Sequence, residues 1–228
     1  MAEILVCGLC KRLGRAEALH EVELSVEAGN LVGLVGPDGA GKTTLLRCIA
    51  GLYRPDSGHV QPGIVGQLRL GFAQQGFHLY GELTVQENIA FIGAVYGLDR
   101  GVVWERSEEL LAFAGLSAHR SRRAGALSGG MQQKLTLVCS LLHRPPILLL
   151  DEPTTGVDPL SRREFWELIE QLHLDGSTIL LASAYFDEVE RCERVVYLDR
   201  GRVIADGTPE ELRGEHASLE AAFEAAAL

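Results

Sequence analysis

The sequence contains the stretch Gly36-Pro37-Asp38-Gly39-Ala40-Gly41-Lys42-Thr43-Thr44, which fits the pattern G-x-x-x-x-G-K-[ST] without a gap. Glycines in such a stretch let the backbone turn tightly enough for successive N–H groups to point inward at phosphate oxygens. Lys42 can then reach the β- and γ-phosphates of a nucleotide, and the Thr43 hydroxyl can bind Mg²⁺. We predict that these nine residues, called the P-loop below, bind a nucleotide.

The flanks of the P-loop have the periodicity that this type of loop requires. Residues 31–35 (Leu-Val-Gly-Leu-Val) are an apolar run that indicates a buried strand. After the loop, Leu45, Leu46 and Ile49 recur at helical spacing, so the phosphates are predicted to lie at a helix N-terminus. A glycine-rich turn without a ligand is the alternative, and this context disfavours it. The sequence therefore predicts binding of a nucleoside triphosphate.

The composition is that of an ordinary globular protein with an acidic balance. Of the 228 residues, 46% are hydrophobic and 23% are charged, and the formal net charge is −10. That charge argues against general nucleic-acid binding, which usually needs a basic face. A small basic patch at Arg120, Arg122 and Arg123 is compatible with local binding, although a solvated loop is the simpler interpretation.

Membrane spans and secretion signals are not predicted. No apolar run approaches the roughly 18 residues that a membrane span needs. Residues 1–6 lack a basic leader and a usable signal-peptide core. The five cysteines are odd in number and scattered, which favours reduced thiols over disulfides. We expect a soluble, cytoplasmic protein.

Strand and helix patterns alternate along the chain. Residues 3–9 and 18–26 show apolar alternation and predict antiparallel strands, and residues 68–73 predict another strand. The pattern then becomes helical, with Trp104 interpreted as a core residue. This order predicts an α/β fold in which a P-loop core with a parallel sheet carries an antiparallel β edge subdomain and an α-helical insertion.

The predicted organisation is a single domain over residues 1–228. The α/β core with its antiparallel β subdomain takes approximately residues 1–75 and 144–228, and the helical subdomain takes approximately residues 76–143.

Two adjacent carboxylates follow a second apolar run. Ile147-Leu148-Leu149-Leu150 predicts a strand buried on both faces, and Asp151 and Glu152 come directly after it. An Asp at this place can support a metal, and the next carboxylate can orient or deprotonate an attacking water. The alternative is a strand end that meets solvent, which the P-loop in the same chain disfavours.

The motifs taken together resemble the nucleotide-binding domains of ATP-binding cassette (ABC) proteins. The resemblance covers nearly the whole chain, and its most specific motif is Leu127-Ser128-Gly129-Gly130. The other motifs follow in the expected order: residues 36–44, Gln75, residues 147–152 and residues 155–158. Residue types at the P-loop, after Gly130 and after Asp158 look most like drug-export cassettes, including the first half of tandem-cassette exporters.

The resemblance implies a role for each matching residue. Glu152 is the general base, and Gln75 senses the γ-phosphate. The residues of the Mg²⁺ site are Thr43, Gln75 and Asp151. The neighbouring Gln74 stands where many relatives have Pro, so the residue that matches this glutamine could be shifted by one position. Ser128, Gly129 and Gly130 bind ATP held by the P-loop of a second cassette.

The same resemblance implies partners. Two cassettes stack head to tail, as a homodimer or a heterodimer, and a transmembrane permease holds them at the inner face of the membrane. Residues 76–96 would face the permease. We expect an ATPase that drives export and binds no nucleic acid. Two alternatives are an ATP-gated half-site with little turnover and a cassette ATPase acting on ribosomes or nucleic acid.

Two positions depart from the family pattern. Leu13 stands where relatives usually have an aromatic residue that stacks on adenine, a contact typically worth about 1 kcal/mol. Ala184 stands where relatives carry a His that touches the γ-phosphate. A methyl group can neither donate a hydrogen bond to the phosphate nor hold the attacking water.

We predict slow hydrolysis at the site that contains this P-loop, although Glu152 is present. An Ala184→His substitution should raise the ATPase rate, by about tenfold, because it adds a donor to the developing phosphate charge. Steady-state phosphate release from the two proteins measures this, and an unchanged rate would count against the prediction.

Overall fold

The computed structural model describes residues 2–61, 70–76 and 79–226. The predicted strand at residues 68–73 begins outside these ranges. The strands within them are β1 (Ala2–Leu13), β2 (Ala16–Glu27), β3 (Leu31–Val35), β4 (Ser57–Val60), β5 (Leu70–Ala73), β6 (Ile147–Asp151), β7 (Thr178–Ser183), β8 (Arg194–Asp199) and β9 (Arg202–Gly207). The helices are α1 (Lys42–Ile49), α2 (Val85–Val95), α3 (Arg100–Phe113), α4 (Gly129–Leu141), α5 (Pro159–Leu174), α6 (Phe186–Val189), α7 (Pro209–Arg213) and α8 (Leu219–Ala226).

The described strands form two sheets. The larger has the order β5-β6-β7-β3-β8-β9, parallel from β5 to β8 and closed by the antiparallel edge strand β9. The smaller is antiparallel and has the order β2-β1-β4. This is the predicted α/β fold with an antiparallel β subdomain.

The parallel sheet is buried on both faces because its interior strands are apolar throughout. In β3, Leu31 and Val35 pack with α2–α5, whereas Val32 and Leu34 on the opposite face pack with α1 and the small sheet. Each fully buried Leu or Val contributes roughly 1.5–3 kcal/mol relative to exposure. The sheet is therefore a rigid layer between two hydrophobic clusters.

The strand order sets the position of the functional segments. The carboxyl ends of β5, β6, β7 and β3 lie side by side, since these strands are parallel neighbours. The chain continues from them to Gln75, to Glu152, to Ala184 and into the P-loop. Ligands of open α/β sheets bind outside the carboxyl ends of the strands, where these residues meet.

Between β5 and β6 the described chain is helical. A capping box starts α2, where Thr84 accepts a hydrogen bond from the Glu87 N–H and Glu87 accepts one from the Thr84 N–H. One hydrophobic cluster extends from the sheet into α2, α3 and α4. The division of the chain into a core and a helical subdomain stays a prediction.

The interpretation of Trp104 as a core residue was wrong. Its side chain is 56% exposed, and the Arg120 guanidinium lies 5.4 Å from the ring centroid. Helix α3 buries Val103, Ser107, Leu110 and Leu111, which lie on one face of the helix. Trp104 lies at the edge of that face, near the N-terminal end of α3, where its ring meets Arg120 and solvent rather than the core.

No helix among residues 2–61, 70–76 and 79–226 combines the length and the apolar character that crossing a bilayer requires.

The contact between α2 and α3 depends on Gly93. A Cβ at this position would lie 2.4 Å from the Val103 Cγ2. Gly93→Ala should lower the free energy of unfolding by about 1–3 kcal/mol, because the added methyl overpacks the contact. Urea denaturation measures the change.

Gly101 in α3 is the matched control, since a Cβ there meets no atom within 4 Å. Gly101→Ala should be neutral or stabilise the protein by up to about 1 kcal/mol. The double variant Gly93→Ala/Val103→Ala should lose less stability than the sum of the two single changes. Strict additivity would contradict the contact.

Candidate active site

Most of the predicted residues converge on one cavity of about 730 Å³ at the carboxyl ends of the parallel strands. Its size is that of a small-molecule or cofactor site. The lining residues are Leu13, Ala16, Glu17, Ala18, Asp38, Gly39, Ala40, Gly41, Lys42, Thr43, Thr44, Gln75, Glu152, Thr155, Ala184 and Tyr185. Most of the P-loop is therefore brought together with Gln75 and Glu152, which come from elsewhere in the sequence.

The P-loop has the backbone conformation that its glycines were predicted to allow. Gly36, Gly39 and Gly41 have φ angles of 155°, 81° and 110°. A Cβ on Gly41 would lie 2.5 Å from the Ala18 carbonyl oxygen, so a larger residue does not fit there. Gly41 is the N-cap of α1 and provides no side-chain cap. The N–H groups of the first turn of α1 are thus suited to an anionic ligand.

Lys42 is held by its own loop. Its ammonium group donates hydrogen bonds to the carbonyl oxygens of Gly36, at 2.7 Å, and of Pro37, at 3.3 Å. It lies 3.9 Å from Oε1 of Glu152, and its side chain is 4% exposed. Gly36 and Pro37 do not line the cavity themselves and act on it through these two carbonyls. The ammonium group is therefore buried within the P-loop.

Asp151 lies behind the P-loop with one oxygen satisfied and the other not. The Thr43 hydroxyl donates to Oδ1 at 3.0 Å, while the buried Oδ2 has no hydrogen-bond partner among the described residues. Burial raises the pKa of Asp151 above its usual range; the Thr43 hydrogen bond opposes this, and the Glu152 charge adds to it.

A divalent cation fits this arrangement. A buried carboxylate oxygen without a partner and an adjacent hydroxyl are hard oxygen donors of the kind that Mg²⁺ prefers. The described residues hold no group of three or more His, Cys, Asp or Glu side chains suited to a metal, so bound phosphate and water would complete the coordination shell.

Glu152 is oriented by two donors. The Gln75 amide donates to Oε2 at 2.7 Å, and the Thr155 hydroxyl donates to the same oxygen at 3.3 Å. The backbone of Glu152 has a φ of 48°, a conformation rare for a residue with a side chain, and its N–H donates to the Ala182 carbonyl at 2.8 Å. Strained backbone of this kind clusters at functional sites. The neighbouring Gln74 lines a different cavity, so the geometry favours Gln75 as the residue at this site.

The structure does not bring Ser128, Gly129 and Gly130 into this cavity. Ser128 is the exposed N-cap of α4, and its hydroxyl accepts a hydrogen bond from the Met131 N–H. A Cβ on Gly130 would lie 2.4 Å from the Ser161 Cβ, so this glycine allows α4 and α5 to approach closely. Ser128 and Gly129 therefore lie at the surface at the N-terminus of α4, and Gly130 is buried against α5.

The two departures from the family pattern both lie in the cavity. Leu13 and Ala184 are lining residues. Glu17, Thr155 and Tyr185 also line the cavity, and the sequence predicted no individual function for any of them. Thr155 follows Glu152 by three residues, the spacing of a local side-chain contact, and that spacing was the available signal. Glu17 and Tyr185 carry no comparable signal, since only the fold places them here.

Comparison with known proteins adds an independent finding. Residues 19–155 match the family model described as ABC transporter. The chain is 40% identical over 222 residues to the probable multidrug ABC transporter ATP-binding protein YbhF of Escherichia coli strain K12, over 93% of this chain and 38% of that protein. It is 40% identical over 214 residues to the Nod factor export ATP-binding protein I of Ralstonia nicotianae, over 90% and 67% of the two chains.

A solved structure is similar as well. A dimeric ATP-binding cassette in a post-hydrolysis state, bound to ADP and Pi, has a TM-score of 0.81 and 27% identity, over 90% of this chain and 98% of that chain. The present chain spans only 38% of the length of the E. coli relative, which is therefore a much longer protein.

Replacement of Asp151 tests the assignment of the buried carboxylate. Asp151→Asn should raise the melting temperature in metal-free buffer at pH 7 by a few degrees, because a buried amide costs less than a buried carboxylate whose pKa is raised. The benefit should fade toward acidic pH: the folded wild type takes up its proton as pH falls through the raised pKa and regains that stability. The same variant should lose the Mg²⁺-dependent part of its nucleotide affinity.

Differential scanning fluorimetry from pH 4 to 8, and titration with ATP with and without Mg²⁺, measure these effects. A lower melting temperature at pH 7 together with unchanged Mg²⁺ dependence would contradict the assignment.

Proposed function

The chain belongs to the ABC transporter family, and from this we propose that it is the ATP-binding and ATP-hydrolysing subunit of an exporter whose membrane-spanning part is a separate subunit. The observation that carries the proposal is one cavity in which the P-loop meets Glu152 and its partner Gln75, with Asp151 bound to Thr43 of the P-loop. Phosphate binding, metal support and a poised carboxylate are the parts that phosphoryl transfer requires.

The P-loop residues 36–44 bind the phosphates through backbone N–H groups and through Lys42. Lys42 exchanges its contacts with the Gly36 and Pro37 carbonyls for phosphate oxygens, which is a short movement of one ammonium group. Thr43 and Asp151 would hold Mg²⁺, Asp151 through Oδ2, which has no hydrogen-bond partner among the described residues, and Gln75 lines the same cavity. Mg²⁺, when bound, neutralises charge on the β- and γ-phosphates.

Glu152 accepts the proton of the attacking water. Its Oε2 already receives the Gln75 and Thr155 hydrogens, so Oε1 is the oxygen that acts as the base. Gln75 keeps the carboxylate from rotating and is placed to respond to the γ-phosphate through the same contact. Ala184 cannot add a hydrogen bond, so orientation of the water depends on Glu152 and the backbone.

A second cassette completes each ATP site. Ser128, Gly129 and Gly130 lie outside the cavity of their own chain, at an exposed helix N-terminus that suits an anion. A head-to-tail dimer brings this surface onto the γ-phosphate held by the partner's P-loop. The similar solved cassette is dimeric, which supports this arrangement. The partner is either an identical chain or a different cassette.

The transport assignment is supported by the relatives, whose names describe multidrug transport and Nod factor export. We propose that this chain acts at the inner face of the membrane through a transmembrane permease, which contacts the surface formed by the described part of residues 76–96. The names favour this function over action on ribosomes or nucleic acid.

Glu152→Gln tests the proposal. The amide keeps the shape of the side chain but cannot take the proton, so the ATPase rate should fall by about 10²- to 10⁴-fold while ATP affinity stays within a few-fold. Turnover is measured as phosphate release and affinity by calorimetry, for the chain alone and with its membrane partner. Glu167→Gln, on the exposed face of α5, is the control and should change neither quantity.

Equal rates for Glu152→Gln and the wild type would refute hydrolysis at this site. With tight ATP binding retained, that result would instead identify a nucleotide-dependent clamp whose catalytic site belongs to a partner cassette.

A further inference from the structure

Glu188 is a buried carboxylate that the mechanism above does not use. It lies in the short helix α6, and its side chain is 2% exposed. A carboxylate is almost never buried to this extent unless it is paired and hydrogen-bonded. The residues that contact Glu188 therefore indicate why a carboxylate is buried at this place.

Three side chains contact the two oxygens of Glu188. The Thr154 hydroxyl donates to Oε1, and the Ser183 hydroxyl donates to Oε2 at 2.6 Å. Nε of Arg162 lies 2.8 Å from Oε1 in an ion pair, although its N–H is not aligned as a hydrogen bond. Both oxygens are thus occupied, and every partner belongs to a different segment of the chain.

Each of these segments leads directly into the active-site cavity. Thr154 lies between Glu152 and Thr155, which themselves share a hydrogen bond. Ser183 ends β7 immediately before Ala184, and its hydroxyl also accepts the Tyr185 N–H at 3.0 Å.

Arg162 comes from the first turn of α5. Its guanidinium lies 4.2 Å from the centroid of the Tyr185 ring, which lines the cavity. Helix α5 begins at its N-cap Asp158, in the loop that follows Glu152. Glu188 therefore joins the start of α5, the loop after β6 and the loop after β7 at one buried point.

We propose that Glu188 is a positioning residue that holds the loop of residues 152–155 and the loop of residues 183–185 in register across the cavity. The inference rests on the proposed ATP hydrolysis. Because residue 184 is an alanine, the loop after β7 cannot be fixed by a hydrogen bond from that side chain to the phosphate. The distance between this loop and Glu152 is instead fixed by the Glu188 carboxylate, which accepts hydrogen bonds from Ser183 and Thr154.

A purely structural carboxylate would stabilise the fold without affecting the reaction. Loss of a positioning residue should lower kcat and leave KM unchanged, since the P-loop that binds the phosphates makes none of these contacts. Glu188→Gln keeps the shape but removes the charge and one acceptor oxygen. We expect it to lower kcat at least tenfold and to leave KM for ATP within threefold.

The second measurement does not need turnover. Hydrogen–deuterium exchange of the full chain, followed by mass spectrometry, reports the Tyr185 N–H and the amides of the two loops directly. Glu188→Gln should speed exchange at residues 152–158 and 183–187, and leave exchange in β3 and α1 unchanged.

Asp187→Asn is the matched control. It changes the same charge on the neighbouring residue of α6, whose side chain is 72% exposed and only 3.5 Å from Arg162. It should leave kcat, KM and exchange unchanged. If Glu188→Gln behaves like Asp187→Asn, the proposal is overturned.

A general loss of folding in Glu188→Gln would show as fast exchange everywhere. Thr154→Val then decides the question, since it removes a single donor at nearly constant volume. Faster exchange confined to the two loops, together with a reduced kcat in Thr154→Val, supports the proposal. Exchange and kcat equal to those of the wild type refute it. If the wild type itself has no ATPase activity, the proposed function fails, and the exchange pattern alone decides whether Glu188 couples the two loops.

Discussion

The ammonium group of Lys42 is the interaction on which the rest of the site depends. It is buried in a loop whose carbonyl oxygens at Gly36 and Pro37 must point inward to hold it, with Glu152 3.9 Å away. A buried cation without such partners would be too costly to keep. The loop therefore has to keep its tight shape, and that shape also aims the N–H groups of α1 at the cavity.

The parallel sheet brings the other residues of the site next to the P-loop. Since β5, β6, β7 and β3 are neighbours, every segment that leaves their carboxyl ends meets the P-loop. The two carboxylates after β6 lie at different depths. Asp151 is fully buried against Thr43, and Glu152 faces the cavity. Behind them, Glu188 joins the loops that the sheet has brought close. Ser128 is exposed and lies outside this cavity, which agrees with the proposal that a second cassette completes the site.

Much of this could be predicted from the sequence, for reasons that are physical. Short continuous apolar runs such as residues 31–35 and 147–150, flanked by Gly, Pro and acidic residues, favour interior strands, and the P-loop spacing has few other uses. Trp104 was misplaced because an apolar residue next to a buried helix face looks like a member of it. The Thr43–Asp151 hydrogen bond and the contacts of Glu188 could not be predicted, because the partners are up to about a hundred residues apart and only the fold brings them together.

The most direct test of this account is the affinity of the chain for Mg²⁺-ATP with and without Lys42. Isothermal titration of the wild type and of Lys42→Ala measures it in one experiment. Loss of a charged contact to phosphate costs about 1.5–3 kcal/mol, so the account predicts that the variant, still folded by circular dichroism, binds about ten- to a hundredfold more weakly. Equal affinity of the two proteins would place the nucleotide outside the P-loop and contradict it.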